Sequence, residues 1–248
     1  MISVAGTDAS TKVTGIFLDG APLGVFSYQG KPAAFAGIDL NYKAGTYPVT
    51  VMLLDGRTLS AEIIVDAREK IEAPLGIPEK LGGNTPASQT RLVSSLAAEN
   101  ASLIGLRTGI KSFWAEAFRW PVARPIVTDE YGYSRKTGAY SIAHKGTDFR
   151  APVGTPVTAV NRGVVRVAKQ FPTYGKTVVV DHGLGLMSFY MHLSKIQVNV
   201  GELVRPGQRV GLSGQTGYAT SPHLHFTLRI RNSSVDPMKF FALMGTSL

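Results

Sequence analysis

The chain has 248 residues, 44% of them hydrophobic and 17% charged, a balance that excludes an intrinsically disordered protein and allows one large domain or two smaller ones. The formal net charge of +9 favours an anionic partner, but the lysines and arginines are scattered, which argues against a nucleic-acid-binding protein. The absence of cysteine excludes disulfides, thiol nucleophiles and iron–sulfur clusters.

The start of the chain and its apolar runs bear on where the protein acts. No apolar run is long enough to cross a bilayer, so the sequence predicts no transmembrane segment. The first ten residues, MISVAGTDAS, have neither the basic nor the apolar region of a signal peptide. Two interpretations stay open: a cytoplasmic protein, or an exported one whose leader lies upstream of this chain.

Residues 1–66 are predicted to form a small β-sandwich of the immunoglobulin-like kind. Two β-prone runs flank Asp19-Gly20, and two more flank Asp55-Gly56. Asp-Gly is typical of type I′ hairpin turns, whose two central residues both need positive φ. No polar cluster in this segment suggests chemistry, so we interpret it as an accessory domain.

Residues 67–120 are predicted to be a connector that contains one helix. The helix signal begins at Thr85, a suitable N-cap, with Pro86 as the first helical residue. An apolar stripe follows at helical spacing, formed by Leu92, Leu96 and Leu103 with Val93, Ala97 and Ile104 beside it. Four aromatic residues come next, which we interpret as core or interdomain packing: Phe113, Trp114, Phe118 and Trp120.

Residues 121–248 are predicted to form a second, β-rich domain that holds the chemistry. All five histidines of the chain lie in it: His144, His182, His192, His223 and His225. In HLHFTLRI (223–230), polar and apolar residues alternate with a period of two, so both of its histidines leave one polar face of a strand. In SFYMHLSKI (188–196), the same pattern predicts that Ser188, Tyr190 and His192 share a polar face.

The segment AHKGTDFRAPVGTPV supplies a carboxylate near a histidine. His144 and Asp148 are four residues apart, and the surrounding glycines and prolines disfavour a helix. On a straight strand the two would lie about 13 Å apart, so they can share a metal only if the backbone bends, which is easiest at Gly146. Two histidine nitrogens and one aspartate oxygen suit Zn²⁺, and further histidines nearby suit proton transfer.

Three longer stretches carry a resemblance to a known family. AHKGTDFRAPVGTPVTAVNRGVV, VVVDHGLGLMSFYMHLSKI and GELVRPGQRVGLSGQTGYATSPHLHFTL resemble the LytM/lysostaphin-type zinc endopeptidases of family M23, over about residues 124–241. The motifs H-x-x-x-D, Y-x-H and H-x-H occur in the order typical of that family. The resemblance implies a compact antiparallel β domain crossed by a groove.

The resemblance also implies the roles of the site residues. It assigns His144, Asp148 and His225 as ligands of one Zn²⁺, and His192 and His223 as the catalytic pair. His182 is expected to be structural. Tyr190 is expected to orient His192 or touch substrate, and Tyr140 and Arg135 precede the first ligand in a region where some members supply a tyrosine to the oxyanion.

The function that the resemblance implies is hydrolysis of peptide bonds in peptidoglycan, in the periplasm or outside the cell. Two alternatives remain open at this point. One is a catalytically silent regulator that activates other wall hydrolases, and the other is a peptidase that its own N-terminal region or connector holds inactive. No nucleic-acid partner is expected, and neither the bond that is cut nor the oligomeric state follows from the sequence.

Overall fold

The structure is a computed structural model that describes residues 1–5, 12–69, 71–114 and 116–247. The predicted segments 1–66 and 121–248 include residues 6–11 and 248, which lie outside the described part. Short strands dominate, and the expectation of a mainly β protein is confirmed. Within the described ranges, neither α-helix has the length and apolarity needed to cross a membrane.

The elements follow one another in three groups. The first 66 residues contain β1 (Ile2–Ser3), β2 (Val13–Leu18), β3 (Ala21–Leu23), β4 (Val25–Tyr28), β5 (Lys31–Ala34), β6 (Gly45–Leu53) and β7 (Thr58–Val65). The next segment contains β8 (Glu72–Pro74), a 3₁₀ helix (Glu79–Leu81), α1 (Pro86–Ser102) and β9 (Phe118–Arg119). The last group contains β10 (Val127–Asp129), β11 (Ser134–Thr137), β12 (Tyr140–Ala143), β13 (Thr147–Arg150), β14 (Pro156–Thr158), β15 (Gly163–Phe171), β16 (Gly175–Asp181), β17 (Leu186–Leu193), β18 (Lys195–Ile196), β19 (Leu203–Val204), β20 (Arg209–Leu212), β21 (His223–Ile230), β22 (Ser233–Val235), α2 (Pro237–Met244) and β23 (Thr246–Ser247).

The N-terminal strands form two antiparallel sheets around a shared apolar core. The sheets have the orders β1-β5-β4 and β3-β2-β6-β7. The core between them consists of Val4, Ile16, Leu18, Ala34, Val49, Val51 and Leu53. Along β6 the buried Val49, Val51 and Leu53 alternate with the half-buried Thr50 and the exposed Met52, as expected for a strand with one buried face.

The two predicted Asp-Gly hairpins differ in their turns. Asp19 and Gly20 have φ values of 50° and 74°, so the turn between β2 and β3 has the predicted I′ character. The second hairpin also exists, but the prediction of a type I′ turn there is wrong. Only Gly56 has positive φ, because residues 54–57 form a four-residue loop in which Asp55 Oδ1 accepts the backbone N–H of Arg57 at 3.0 Å.

Helix α1 begins where the sequence predicts. Thr85 is its N-cap, accepting the backbone N–H of Ser88, and Pro86 is the first helical residue. Leu92 and Leu103 of the predicted stripe are buried, but Ile104 is 60% exposed. The buried side of the helix includes Glu99 instead, which is 5% exposed.

One eight-stranded antiparallel sheet organises residues 121–248. Its strand order is β10-β13-β21-β17-β16-β15-β19, with β22 paired to β21. One face packs on the main core through residues such as Leu224, Phe226 and Leu228. The other face carries Val179, Met187, Phe189 and Met191, and the end of α1 covers it through Leu103. Both faces of the central strands are therefore covered, and β17 is buried throughout.

The N-terminal sheets contact the C-terminal half through aromatic residues. Trp114 lies with its ring centroid 5.2 Å from that of Phe26 and 6.2 Å from that of Phe118. Phe118 in turn contacts Phe240 of α2 at 4.9 Å. The ring centroid of Trp120 likewise lies 4.5 Å from that of Phe241, so the predicted packing role is confirmed for three of the four aromatic residues.

Candidate metal centre

Three of the predicted site residues converge on one point. Asp148 Oδ1 lies 2.7 Å from His225 Nδ1 and 3.1 Å from His144 Nε2, and the two nitrogens are 3.0 Å apart. His144 and Asp148 are 4% and 5% exposed, and the His225 side chain is 12% exposed. Three donor atoms at such separations form a group able to hold one metal ion.

Pairing of β13 with β21 and a bend before β13 create this convergence. Asp148 lies directly opposite His225 in the antiparallel register, which places both side chains on one face. His144 precedes the strand, and the chain passes over His225 at Gly146. A Cβ at that position would lie 2.6 Å from His225 Nε2, so only glycine allows this approach.

Hydrogen bonds fix which ring nitrogen of each histidine ligand faces the centre. The Nδ1–H of His144 donates to the carbonyl of Glu130 at 2.7 Å, which leaves Nε2 with its lone pair toward the site. His225 Nε2 is 3.0 Å from the hydroxyl of Thr227, which leaves Nδ1 for the metal. Thr227 was not singled out from the sequence, although its position two residues after His225 in an alternating strand placed it on the same face.

Arg135 fixes the carboxylate. Its guanidinium donates to Asp148 Oδ2 at 2.7 Å and also to the carboxylate of Asp129, so Asp148 Oδ1 is left for the metal. Burial alone would raise the pKa of Asp148, but the attraction of His225 and the close contacts of the carboxylate with the ring nitrogens of His144 and His225 outweigh it and hold that pKa well below its usual range. The aspartate is therefore ionised, as a metal ligand must be.

The donor set fits a zinc ion with an open coordination position. Two imidazole nitrogens and one carboxylate oxygen are ordinary zinc donors, and catalytic zinc sites keep three protein ligands. Donors placed tetrahedrally at about 2.0–2.1 Å from zinc lie about 3.3 Å apart, close to the 2.7–3.1 Å observed between these atoms.

His192 and His223 stand beside this centre. The His192 ring centroid is 4.9 Å from that of His223 and 6.0 Å from that of His225. The Nδ1–H of His192 donates to the carbonyl of Thr216, and that of His223 to the carbonyl of Ser221, each at 2.8 Å. Because a carbonyl only accepts, Nδ1 carries the proton in the neutral form of each ring, and Nε2 is then the acceptor. Burial lowers the pKa of His192 to about 3, and repulsion from neighbouring imidazoles adds to the effect.

The predicted polar face of β17 is wrong, and the reason is the backbone of His192. Tyr190 pairs with Phe226 and is fully buried in the main core, whereas Met191 pairs with His225 on the metal side. Strict alternation would point His192 into the core. Its φ of +61° reverses the alternation, so His192 joins the other histidines and Leu193 returns to the core.

Other residues expected near the site have different surroundings. The Tyr190 hydroxyl accepts the backbone N–H of Val160 at 2.9 Å, so Tyr190 neither orients His192 nor reaches substrate. His182 is fully buried, with Nδ1 2.8 Å from the carbonyl of Arg162, and burial lowers its pKa to about 4. The Tyr140 hydroxyl bonds the hydroxyl of Thr90 on α1 at 3.1 Å rather than facing the metal ligands.

A cavity of about 240 Å³ adjoins the candidate metal ligands His144 and His225. His144, His192 and His225 line it from the sheet, with Arg135, Met191, Thr227 and Arg229. Leu75, Gly76, Leu92, Leu96 and Asn100 line it from the connector. The connector therefore forms one wall of the space in which a substrate would meet these histidines.

The chain matches known proteins over this half. The sequence profile of peptidase family M23 matches residues 142–237. Peptidoglycan DD-endopeptidase ShyA of Vibrio cholerae is 48% identical over 105 residues, which are 42% of this chain and 24% of ShyA. The glycyl-glycine endopeptidase ALE-1 of Staphylococcus capitis is 39% identical over 127 residues, 46% of this chain and 34% of ALE-1. The chain thus spans about a quarter to a third of the length of these curated relatives.

A solved structure resembles nearly the whole chain. A crystal structure from Pseudomonas aeruginosa, assigned to peptidase M23, superposes with a TM-score of 0.66 and 27% identity, covering 95% of this chain and 90% of that one. The likeness therefore extends across the N-terminal sheets and the connector. The profile match, the relatives and this structure agree with the geometry of the candidate metal centre, and residues 142–237 form a domain of peptidase family M23.

Proposed function

We propose that this chain is a zinc-dependent endopeptidase that hydrolyses peptide bonds in bacterial peptidoglycan. The observation that carries the proposal is the convergence of His144 Nε2, Asp148 Oδ1 and His225 Nδ1 within 3.1 Å of one another, beside two further imidazoles. Every ligand position is filled, which favours an enzyme over the catalytically silent regulator.

The protein groups divide into ligands and proton carriers. His144, Asp148 and His225 would hold Zn²⁺, which when bound polarises a carbonyl and lowers the pKa of water. In their neutral forms His192 and His223 present Nε2 as the acceptor, which suits them to accept a proton from the attacking water and return it to the leaving amine. Once protonated, either ring is a donor to the developing oxyanion.

The substrate class is inferred from the relatives. ShyA is named for peptidoglycan DD-endopeptidase activity and ALE-1 for glycyl-glycine endopeptidase activity. A net charge of +9 favours association with an anionic wall polymer. Because such a polymer lies outside the cytoplasmic membrane, we propose the cell envelope as the place of action.

Digestion of purified cell walls tests this proposal. The zinc-loaded chain is expected to release soluble peptides, and mass spectrometry of those peptides identifies the bond that is cut. Removing the metal with a chelator should stop release, and adding Zn²⁺ should restore it. Stoichiometric zinc with no release from walls with direct or glycine-bridge cross-links, both in the full chain and in residues 121–248 alone, favours the regulator instead.

A second candidate, a peptidase held inactive by its own connector, is favoured by one observation. Leu75, Leu92 and Leu96 close one side of the cavity that His144 and His192 line. Glu99 holds the helix there, because its carboxylate accepts the backbone N–H groups of Thr173 and Tyr174 at 2.7 and 3.0 Å. In this candidate function, moving α1 admits the substrate.

A further inference from the structure

Arg229 is a buried cation that the mechanism above does not use. It lies on β21 four residues after His225, on the same face of the strand, and is 7% exposed. Strand geometry places its Cα about 13 Å from that of His225. It lines the cavity of about 240 Å³ that adjoins the metal ligands.

The guanidinium of Arg229 lacks the partner that a buried charge usually has. Its Nη2 donates to the neutral Asn100 Oδ1 at 2.8 Å, and it lies 4.6 Å from the ring centroid of Phe189. Its Nε is buried and has no hydrogen-bond partner among the described residues, and no described carboxylate lies within 4 Å. Arg135 and Arg166, by contrast, each pair with an aspartate.

Burying a charge without a partner of opposite charge lowers the stability of the fold, so the presence of Arg229 at this position needs an explanation. Burial lowers the pKa of Arg229, as expected for a desolvated cation. Asn100 satisfies one donor but supplies no negative charge. A planar guanidinium with unused donors is suited to bind a carboxylate, which would supply both the charge and the acceptors.

The space beside Arg229 is large enough for part of a peptide. A second cavity of about 460 Å³ lies on the other side of this residue, with apolar walls that include Met187, Phe189 and Leu184. Arg231 also lines it, and no aspartate or glutamate is among its lining residues in the described chain. Arg229 thus stands between the cavity at the metal ligands and a second, cationic cavity.

We propose that Arg229 binds a free carboxylate of the substrate peptide and makes the enzyme selective for anionic stem peptides over neutral glycine bridges. The proposal rests on the proposed endopeptidase function. An extended peptide advances about 3.3–3.6 Å per residue, so the carboxylate would lie within about four residues of the bond that is cut. Arg229 is then a specificity-determining residue on the same strand as a metal ligand.

The test compares two cross-linked stem peptides that differ only in this group. One carries the free carboxylate and the other the corresponding carboxamide. The zinc-loaded full chain is expected to cleave the carboxylate form with a kcat/KM at least about tenfold higher, the size of effect given by a charge-assisted hydrogen bond. In the Arg229→Gln variant the ratio should fall to about one.

Asn100→Ala separates recognition from anchoring of the helix. It removes the Asn100–Arg229 hydrogen bond and keeps the guanidinium, so the preference for the carboxylate should persist. If Asn100→Ala loses the preference for the carboxylate peptide, the role of Arg229 is to anchor α1 through Asn100, and the proposal is overturned. Equal kcat/KM values of the unaltered chain for the two peptides overturn it regardless of how the variants fold.

A binding measurement keeps this test independent of catalysis. Dissociation constants of both peptides for the metal-free full chain, by calorimetry, should show the same preference of about tenfold. If neither peptide nor cell wall is cleaved but the binding preference is present and Arg229→Gln abolishes it, the endopeptidase function is wrong and the carboxylate site stands. If cleavage occurs without any preference, the carboxylate site is wrong and the endopeptidase function stands.

Discussion

The two histidine ligands present different ring nitrogens to the centre. His144 presents Nε2 because the Glu130 carbonyl occupies its Nδ1, and His225 presents Nδ1 because Thr227 lies beside its Nε2. These outer contacts fix ring orientation before any metal arrives. His192 and His223 instead bond loop carbonyls through Nδ1, which leaves Nε2 for the proton transfer proposed above.

Replacing the two histidines of H-x-H in turn separates their roles. His225→Ala removes a ligand and should lower zinc affinity by more than about 100-fold, abolishing turnover. His223→Ala should keep zinc affinity within about tenfold and lower turnover by about 10²–10⁴-fold. Zinc titration against a competing chelator, together with peptide cleavage rates, measures both. The opposite pattern would reverse the two assignments.

His182 makes the stability of the fold depend on pH. Its pKa is lowered from 6.5 to about 4, so between these values the unfolded chain binds a proton that the folded chain excludes. The free energy of unfolding should therefore fall as pH decreases from about 6.5 toward 4, by about 3 kcal/mol from this residue.

Urea unfolding at several pH values, with a chelator present, measures this effect. The His182→Gln variant keeps the other four histidines, so their contributions cancel in the difference between the two chains. We expect the variant to lose about 3 kcal/mol less than the unaltered chain between pH 7 and pH 4. Parallel stability curves would show that folding does not lower the pKa of His182.

At the scale of single elements, the bend before β13 is the feature on which the ligand set depends. Gly146→Ala places a Cβ 2.6 Å from both His225 Nε2 and Thr227 Oγ1, so His225 must move. Zinc affinity should fall by about 10–100-fold while the fold is kept. Gly76→Ala is the matched control, because a Cβ at Gly76 meets nothing within 4 Å. Equal zinc affinity of the two variants would contradict the account.

Strand β21 could be predicted from sequence and β17 could not, for a physical reason. The alternation in β21 is unbroken, so its period of two gives the face of His225 directly. In β17, one residue with positive φ reverses the faces at His192, and no residue type in the sequence signals it. The family motif found His192, whereas the pattern alone assigned it to the face that the core covers.

The sequence predicted a bend at Gly146 only on the assumption that His144 and Asp148 bind the same metal ion. The spacing of His144 and Asp148 required a bend if both were to bind one metal, and glycine marked the place. The contacts of Arg135 and Glu99 could not be predicted, because a sequence pattern does not show which distant groups a charged side chain contacts. Arg135 lies 13 residues before Asp148, and Glu99 accepts N–H groups more than 70 residues away.

At the scale of the whole molecule, the connector ties the N-terminal sheets to the site. β8 pairs in parallel with β11, and α1 lies across the sheet face that carries the histidines. The sequence marks α1 by its cap and proline but does not reveal what its buried side covers. Access to the metal centre is therefore a property of the assembled chain rather than of residues 121–248 alone.

Glu99→Gln tests whether α1 restricts access. The amide group of glutamine places an N–H donor against a backbone N–H donor in the loop, which weakens the helix anchor by about 1–3 kcal/mol. Peptide cleavage should become several-fold faster, and hydrogen exchange in α1 should rise. Arg91→Gln is the control, because it also removes one charge but lies on the exposed side of the same helix. It should change neither the cleavage rate nor hydrogen exchange in α1. Faster exchange in Glu99→Gln without faster cleavage would show that α1 does not limit access.

The proposed chemistry depends on one metal ion bound by His144, Asp148 and His225. Anomalous diffraction at the zinc edge, from crystals of the full chain grown with Zn²⁺, tests it most directly. We expect one strong peak about 2.0–2.2 Å from His144 Nε2, Asp148 Oδ1 and His225 Nδ1. A zinc peak coordinated by other residues, with these three side chains unbridged in zinc-saturated crystals, would contradict it.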